Sequence, residues 1–84
     1  MSYGVQILRR AQKELAQLSN QDYKRVKEAI QDLSNDPRPQ GCKKLTAREG
    51  WRIRVGDCRV IYEIDDTGQT LTVLHVGNRR DVYK

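Results

Sequence analysis

At 84 residues the chain has room for one modest core, so a single domain over residues 1–84 is expected; with only 37% hydrophobic residues and no Phe, that core is thin and a bound partner would add stability. Sixteen Lys and Arg against 11 Asp and Glu leave a net charge of +5, which favours polyanionic partners through counterion release. Two isolated cysteines argue against a disulfide framework or a zinc site, and no apolar run reaches the ~18 residues of a membrane span.

The opening MSYGVQILRR lacks the apolar region of a secretion signal, so a reducing, cytoplasmic setting is expected. Tyr3, Val5 and Ile7 alternate with Ser2, Gly4 and Gln6, a period of two that predicts a short strand with one buried face. The period then lengthens. Ala11, Leu15 and Leu18 fall at helical spacing, Ser19-Asn20 breaks the run and can cap a new start, and Tyr23, Val26, Ile30 and Leu33 resume it. Two amphipathic helices in a hairpin follow. The segment NDPRPQG at 35–41 ends the second, because prolines lack an amide donor and disfavour helix at the preceding residue.

From Trp51 the period is two again. Trp51, Ile53 and Val55 alternate with Arg52 and Arg54, Gly56-Asp57 supplies a two-residue turn, and Cys58, Val60, Tyr62 and Ile64 alternate with Arg59, Ile61 and Glu63. Residues 65–69 read as a second turn and 70–76 as the last strand, with Leu74 and Val76 on the core side. A strand, a two-helix hairpin and a three-stranded meander predict an α+β fold with the helices on one face of a four-stranded antiparallel sheet.

A two-residue turn determines which residues oppose one another: Val55 with Cys58, Arg54 with Arg59, Ile53 with Val60, Arg52 with Ile61 and Trp51 with Tyr62. One face then collects Trp51, Ile53, Val55, Cys58, Val60 and Tyr62, and the other Arg52, Arg54 and Arg59. With a five-residue second turn, Ile64 meets Thr70 and Arg59 meets His75, which brings the single histidine to the arginine face. Opposed Arg54 and Arg59 set like charges about 5 Å apart, a destabilising arrangement unless an anion arrives. The planar fork of arginine matches phosphate oxygens in pairs. Beyond the last strand, VGNRRDVYK adds Arg79, Arg80 and Tyr83.

These residues resemble the RelE side of the RelE/ParE toxin superfamily. The resemblance rests on WRIRV at 51–55, RVIYE at 59–63 and VGNRRDVY at 76–83, together with length and element order, and it covers nearly the whole chain. It implies a toxin of a type II toxin–antitoxin system that cleaves messenger RNA on the ribosome. Its partners would be a cognate antitoxin, in a toxin–antitoxin hetero-oligomer, and the RNA itself, with no cofactor and no membrane. By position, Arg52 and Arg54 look like the family's paired basic residues on the second strand, Arg59 like its arginine on the third, Arg79 like the arginine after the last strand, and Tyr83 like the C-terminal tyrosine. Well-known members carry lysines on the second strand. Arginine does not lose its proton at useful pH, so neither Arg52 nor Arg54 is a plausible general base.

In-line attack of a 2′-hydroxyl on the adjacent phosphate needs a base, cations for the added charge, and an acid for the leaving 5′-oxygen. Arg52, Arg54, Arg59 and Arg79 are assigned to the phosphate. Tyr83, whose reference pKa of ~10 a crowd of arginines would lower, leads as the base, with His75 and Glu63 left open. One histidine and scattered acids offer no ligand set for a catalytic metal. Two rivals stand beside this expectation: a ParE-like inhibitor of DNA gyrase acting by binding, which Val73-Leu74-His75 and Arg79-Arg80-Asp81 also resemble, and a plain RNA-binding module. Tyr83 and the arginine-lined face favour the nuclease.

Overall fold

The change of hydrophobic period from two to 3.6 and back marks the element boundaries of the computed structural model, which describes residues 2–46 and 49–78. In chain order these are β1 (Gly4–Ile7), α1 (Arg9–Ala16), α2 (Asn20–Asn35), β2 (Lys43–Lys44), β3 (Trp51–Val55), β4 (Cys58–Asp65) and β5 (Thr70–Asn78). Ser19 caps α2, its hydroxyl accepting the Asp22 amide at 3.2 Å, so the break expected at Ser19-Asn20 is a helix start. The same helix stops at Asn35, where Asp36 turns to an extended φ of −142° ahead of Pro37.

The helices cover one face of the sheet. Ala11 and Leu15 from α1 and Val26, Ile30 and Leu33 from α2 pack with Ile53, Cys58, Val60, Tyr62, Leu71, Val73 and Val76 in one buried cluster. Tyr62 is fully buried, and its hydroxyl donates to the Pro37 carbonyl at 2.7 Å, which anchors the proline linker over the sheet. That burial pushes the phenol pKa well above its usual value. No helix among the described residues is long and apolar enough to cross a membrane.

The sheet is five-stranded and mixed, in the order β1-β5-β4-β3-β2, and not four-stranded and antiparallel as expected. The physical reason is parity. Residues 43–44 form a short strand antiparallel to β3, and this extra reversal between the helical hairpin and the meander leaves β5 running with β1. Gly4–Ile7 therefore pairs with residues 70–73 in parallel. Val5 also departs from expectation, being 36% exposed: β1 lies at the sheet edge, where the helices leave an open cleft.

The β3–β4 register agrees at all five expected pairs. Gly56 has φ +60° while Asp57 does not enter the positive-φ region, the pattern of a II′ turn with glycine first. The β4–β5 register differs. The second turn is one residue shorter than expected, so Asp65 opposes Thr70 and Ile64 opposes Leu71; a bulge between Ile61 and Tyr62 then shifts the pairing once more. His75 consequently faces Ile61, and Gly77 faces Arg59. Two single-residue shifts in the same sense make an even one, so His75 stays in register with the arginine side while its partner changes. Leu74, expected in the core, sits in the bulge, and Val73 takes the core position instead.

Candidate functional site

The face of the sheet opposite the helices gathers the basic residues by register alone. Lys43, Arg52, Ile61 and His75 form one row across β2, β3, β4 and β5, and Arg54, Arg59 and Gly77 form the next. Alternation sends these side chains away from the helices because Ile53, Val60 and Val76 point toward them. Arg54 is exposed and Arg52 half-buried, whereas Arg59 keeps 5% of its surface and Ile61 2%. Arg52 and Arg59 are both engaged by other groups of the chain. A cation held in so desolvated a place acts on an incoming anion through a lower effective dielectric than bulk water, which strengthens the attraction.

Among the described strand residues, two acids of β4, Glu63 and Asp65, share this face. Glu63 opposes Thr72 and lies two residues along β4 from Ile61, diagonal to Arg52. It is exposed at the end of the basic rows, away from Arg54.

His75 is held at the sheet edge. Beyond residue 73, β1 no longer pairs with β5, and α1 takes its place: Glu14 Oε1 accepts the Val76 amide at 3.1 Å and lies 3.7 Å from His75 Nδ1. One carboxylate thus satisfies an edge amide and lies beside the imidazole.

Of the five residues expected to carry the chemistry, the structure brings Arg52, Arg54 and Arg59 to one face. Arg79 and Tyr83 lie outside the described residues. Trp51 and Tyr62 lie on the helix-facing side as the register requires, with Tyr62 in the core and Trp51 packed against it under the Arg38 guanidinium, 5.0 Å from the ring centroid. Among the described residues, no group of three or more His, Cys, Asp and Glu is placed to hold a metal ion. The cationic residue that periodicity missed is Lys43. A two-residue strand has no period to detect, and the usable signal was the Lys43-Lys44 pair standing between Gly41 and the Trp51 strand.

A cleft of about 620 Å³ lies elsewhere, between β1 and the helical hairpin, lined by Tyr3, Val5, Ile7, Leu15, Tyr23 and Ile30 among others. Its lining is mainly apolar with Lys27 at the rim, and it shares no residue with the basic rows of the sheet.

Known proteins resemble the chain over nearly its whole length. Residues 5–83 match the family model for the ParE toxin of the type II toxin–antitoxin system parDE. A protein of Methanocaldococcus jannaschii bearing the toxin name RelE1 is 30% identical over 88 residues, spanning 100% of this chain and 98% of its own. The RelBE2 toxin–antitoxin complex of Mycobacterium tuberculosis contains a chain with 31% identity and a TM-score of 0.82, covering 94% of this chain and 100% of that one. In the archaeal RelE–RelB complex of Pyrococcus horikoshii the corresponding values are 29% and 0.84, with 96% and 99% covered.

Proposed function

The chain belongs to the RelE/ParE superfamily of type II toxin–antitoxin toxins, and from that membership we propose that it is an endoribonuclease that cuts messenger RNA on the ribosome and so stops translation. The observation that carries this reading is the opposed pair Arg54 and Arg59, with Arg52 in the adjoining row. Guanidinium groups opposed across a ladder bring several oriented N–H donors to one place, the pattern that matches phosphate oxygens in pairs.

The reaction follows from the residue types. The 2′-oxygen forms a bond to the adjacent phosphorus as the bond to the 5′-oxygen breaks, leaving a 2′,3′-cyclic phosphate on one fragment and a 5′-hydroxyl on the other. The 2′-proton passes to a base, and the leaving oxygen takes one from an acid. Arg52, Arg54, Arg59 and Arg79 bind the phosphate and share the negative charge that builds up during attack. Tyr83 serves as the base. Because guanidinium groups stay charged throughout the useful range, the pH dependence of cleavage reports the base and acid rather than the phosphate site.

The crystallised relatives are toxin–antitoxin complexes, and a cognate antitoxin is the natural partner here too. With a net charge of +5, the chain suits an antitoxin segment carrying acidic side chains over the basic face. The ParE description of the matching family model favours a second reading, inhibition of DNA gyrase by binding.

Ribosomes programmed with a defined message separate the two. Purified toxin should generate new RNA ends, and a message with a 2′-deoxy sugar at the cut should resist. Arg59→Ala should slow cleavage by about 10²-fold or more, and Tyr83→Phe should slow it as well, with circular dichroism unchanged in both variants. Intact messages together with gyrase-dependent DNA damage would establish the second reading instead.

A further inference from the structure

We propose that Lys43, at the outer end of the Arg52 row, forms a second phosphate subsite that holds the RNA phosphate next to the one being cut. This rests on the nuclease reading above and adds a residue that the family resemblance does not supply.

The argument starts from register. Lys43 opposes Arg52, and Arg54 lies two residues along the same strand, so both neighbours of Lys43 on the β3 side of this face are cations. A second like-charged pair therefore stands beside the Arg54–Arg59 pair. Lys43 is exposed, and among the described residues no ion pair holds it. Glu63 lies on β4, two strands from Lys43, so it does not neutralise that end of the row.

Position then suggests what the row binds. One step of two residues along a strand advances about 6.7 Å, comparable with the distance between successive phosphates of a single-stranded RNA. A chain whose scissile phosphate sits among Arg52, Arg54 and Arg59 thus brings an adjacent phosphate within reach of Lys43. β2 is the outermost strand of the sheet, so Lys43 stands at the edge of the basic rows. The strand is also anchored: the Leu45 amide donates to the Gly50 carbonyl at 3.0 Å, closing the hairpin that presents Lys43. An ammonium group suits this task, since a flanking phosphate needs only attraction, whereas the reacting one needs the oriented fork of arginine.

The test is a coupling measurement on cleavage. Lys43→Gln should lower kcat/KM on a fully charged RNA by roughly three- to fivefold, the size of an exposed charge contact. The dependence of RNA binding on salt should flatten by about 0.7 in the log–log slope, the loss of one phosphate contact on a single strand. Lys43→Arg should behave like wild type. An RNA with one neutral methylphosphonate linkage beside the mapped cut should slow the wild type to a similar degree, and Lys43→Gln should then add nothing. Equal losses by Lys43→Gln on the charged and the neutralised RNA, or no loss on either, would overturn the assignment while leaving the nuclease reading intact. If the wild type cuts no RNA, both fall together.

Discussion

Asp66 takes three hydrogen bonds from two side chains: Arg38 Nη2 at 2.9 Å and Nη1 at 3.2 Å, and the Tyr3 hydroxyl at 2.7 Å. The guanidinium first, and the phenol second, hold its carboxyl below the usual range, while the same contact raises the Tyr3 pKa. The cluster joins the start of β1, the proline linker and the β4–β5 turn, although the Arg38 and Asp66 side chains remain 41% and 57% exposed. A carboxyl with a depressed folded pKa contributes stability that is fully present above its unfolded value, ~3.9, and is lost as pH falls through the lower folded value. Asp66→Asn should therefore lower the melting temperature slightly at pH 7, and the gap from wild type should close below about pH 4. A gap that stays constant into acid would mean the charge is not what Asp66 contributes. The exposed pair makes this a small effect, to be read from its pH dependence more than from its size.

Among the elements, the β3–β4 hairpin was legible from residues alone because Gly56-Asp57 leaves one loop length, and one loop length leaves one register. The β4–β5 hairpin was not. Asp65, Asp66, Thr67, Gly68 and Gln69 all suit turns; the chain closes at Asp65 with the Gly68 amide donating to its carboxylate at 3.1 Å and Gln69 at φ +54°. Nothing in the alternation announces the bulge at Leu74 either, because Val73, Leu74 and Val76 all suit a buried position. The two-residue β2 fell below any periodic signal, and missing it reversed the inferred direction of β1 relative to β5. Of the site, the facing arginines were visible because they depend on the legible hairpin, while Lys43 depended on the strand that was not. Gly56→Ala tests the hairpin directly. The added methyl would meet only Arg25 Nη1, at 3.5 Å, so the cost is backbone strain at φ +60° and should be about 1–3 kcal/mol in denaturant titration. A neutral result would show that the turn relaxes to another type.

Across the whole molecule, one sheet divides two tasks. Its helix-covered face holds Val60, Tyr62, Leu71, Val73 and Val76 in the buried cluster, and its other face gathers Lys43, Arg52, Arg54 and Arg59 in adjoining rows. On the proposed nuclease reading, folding and function pull in opposite directions at these residues. Arg54 isolates the conflict because it is exposed, faces Arg59 directly, and makes no ion pair among the described residues. The most direct measurement is Arg54→Gln, with melting temperature and ribosome-dependent RNA cleavage followed on the same preparation. Relief of the like-charge pair should raise stability by roughly 0.2–1 kcal/mol, a shift of a few degrees, while cleavage falls at least tenfold. Cleavage at the wild-type rate would contradict the account, whatever the melting temperature does.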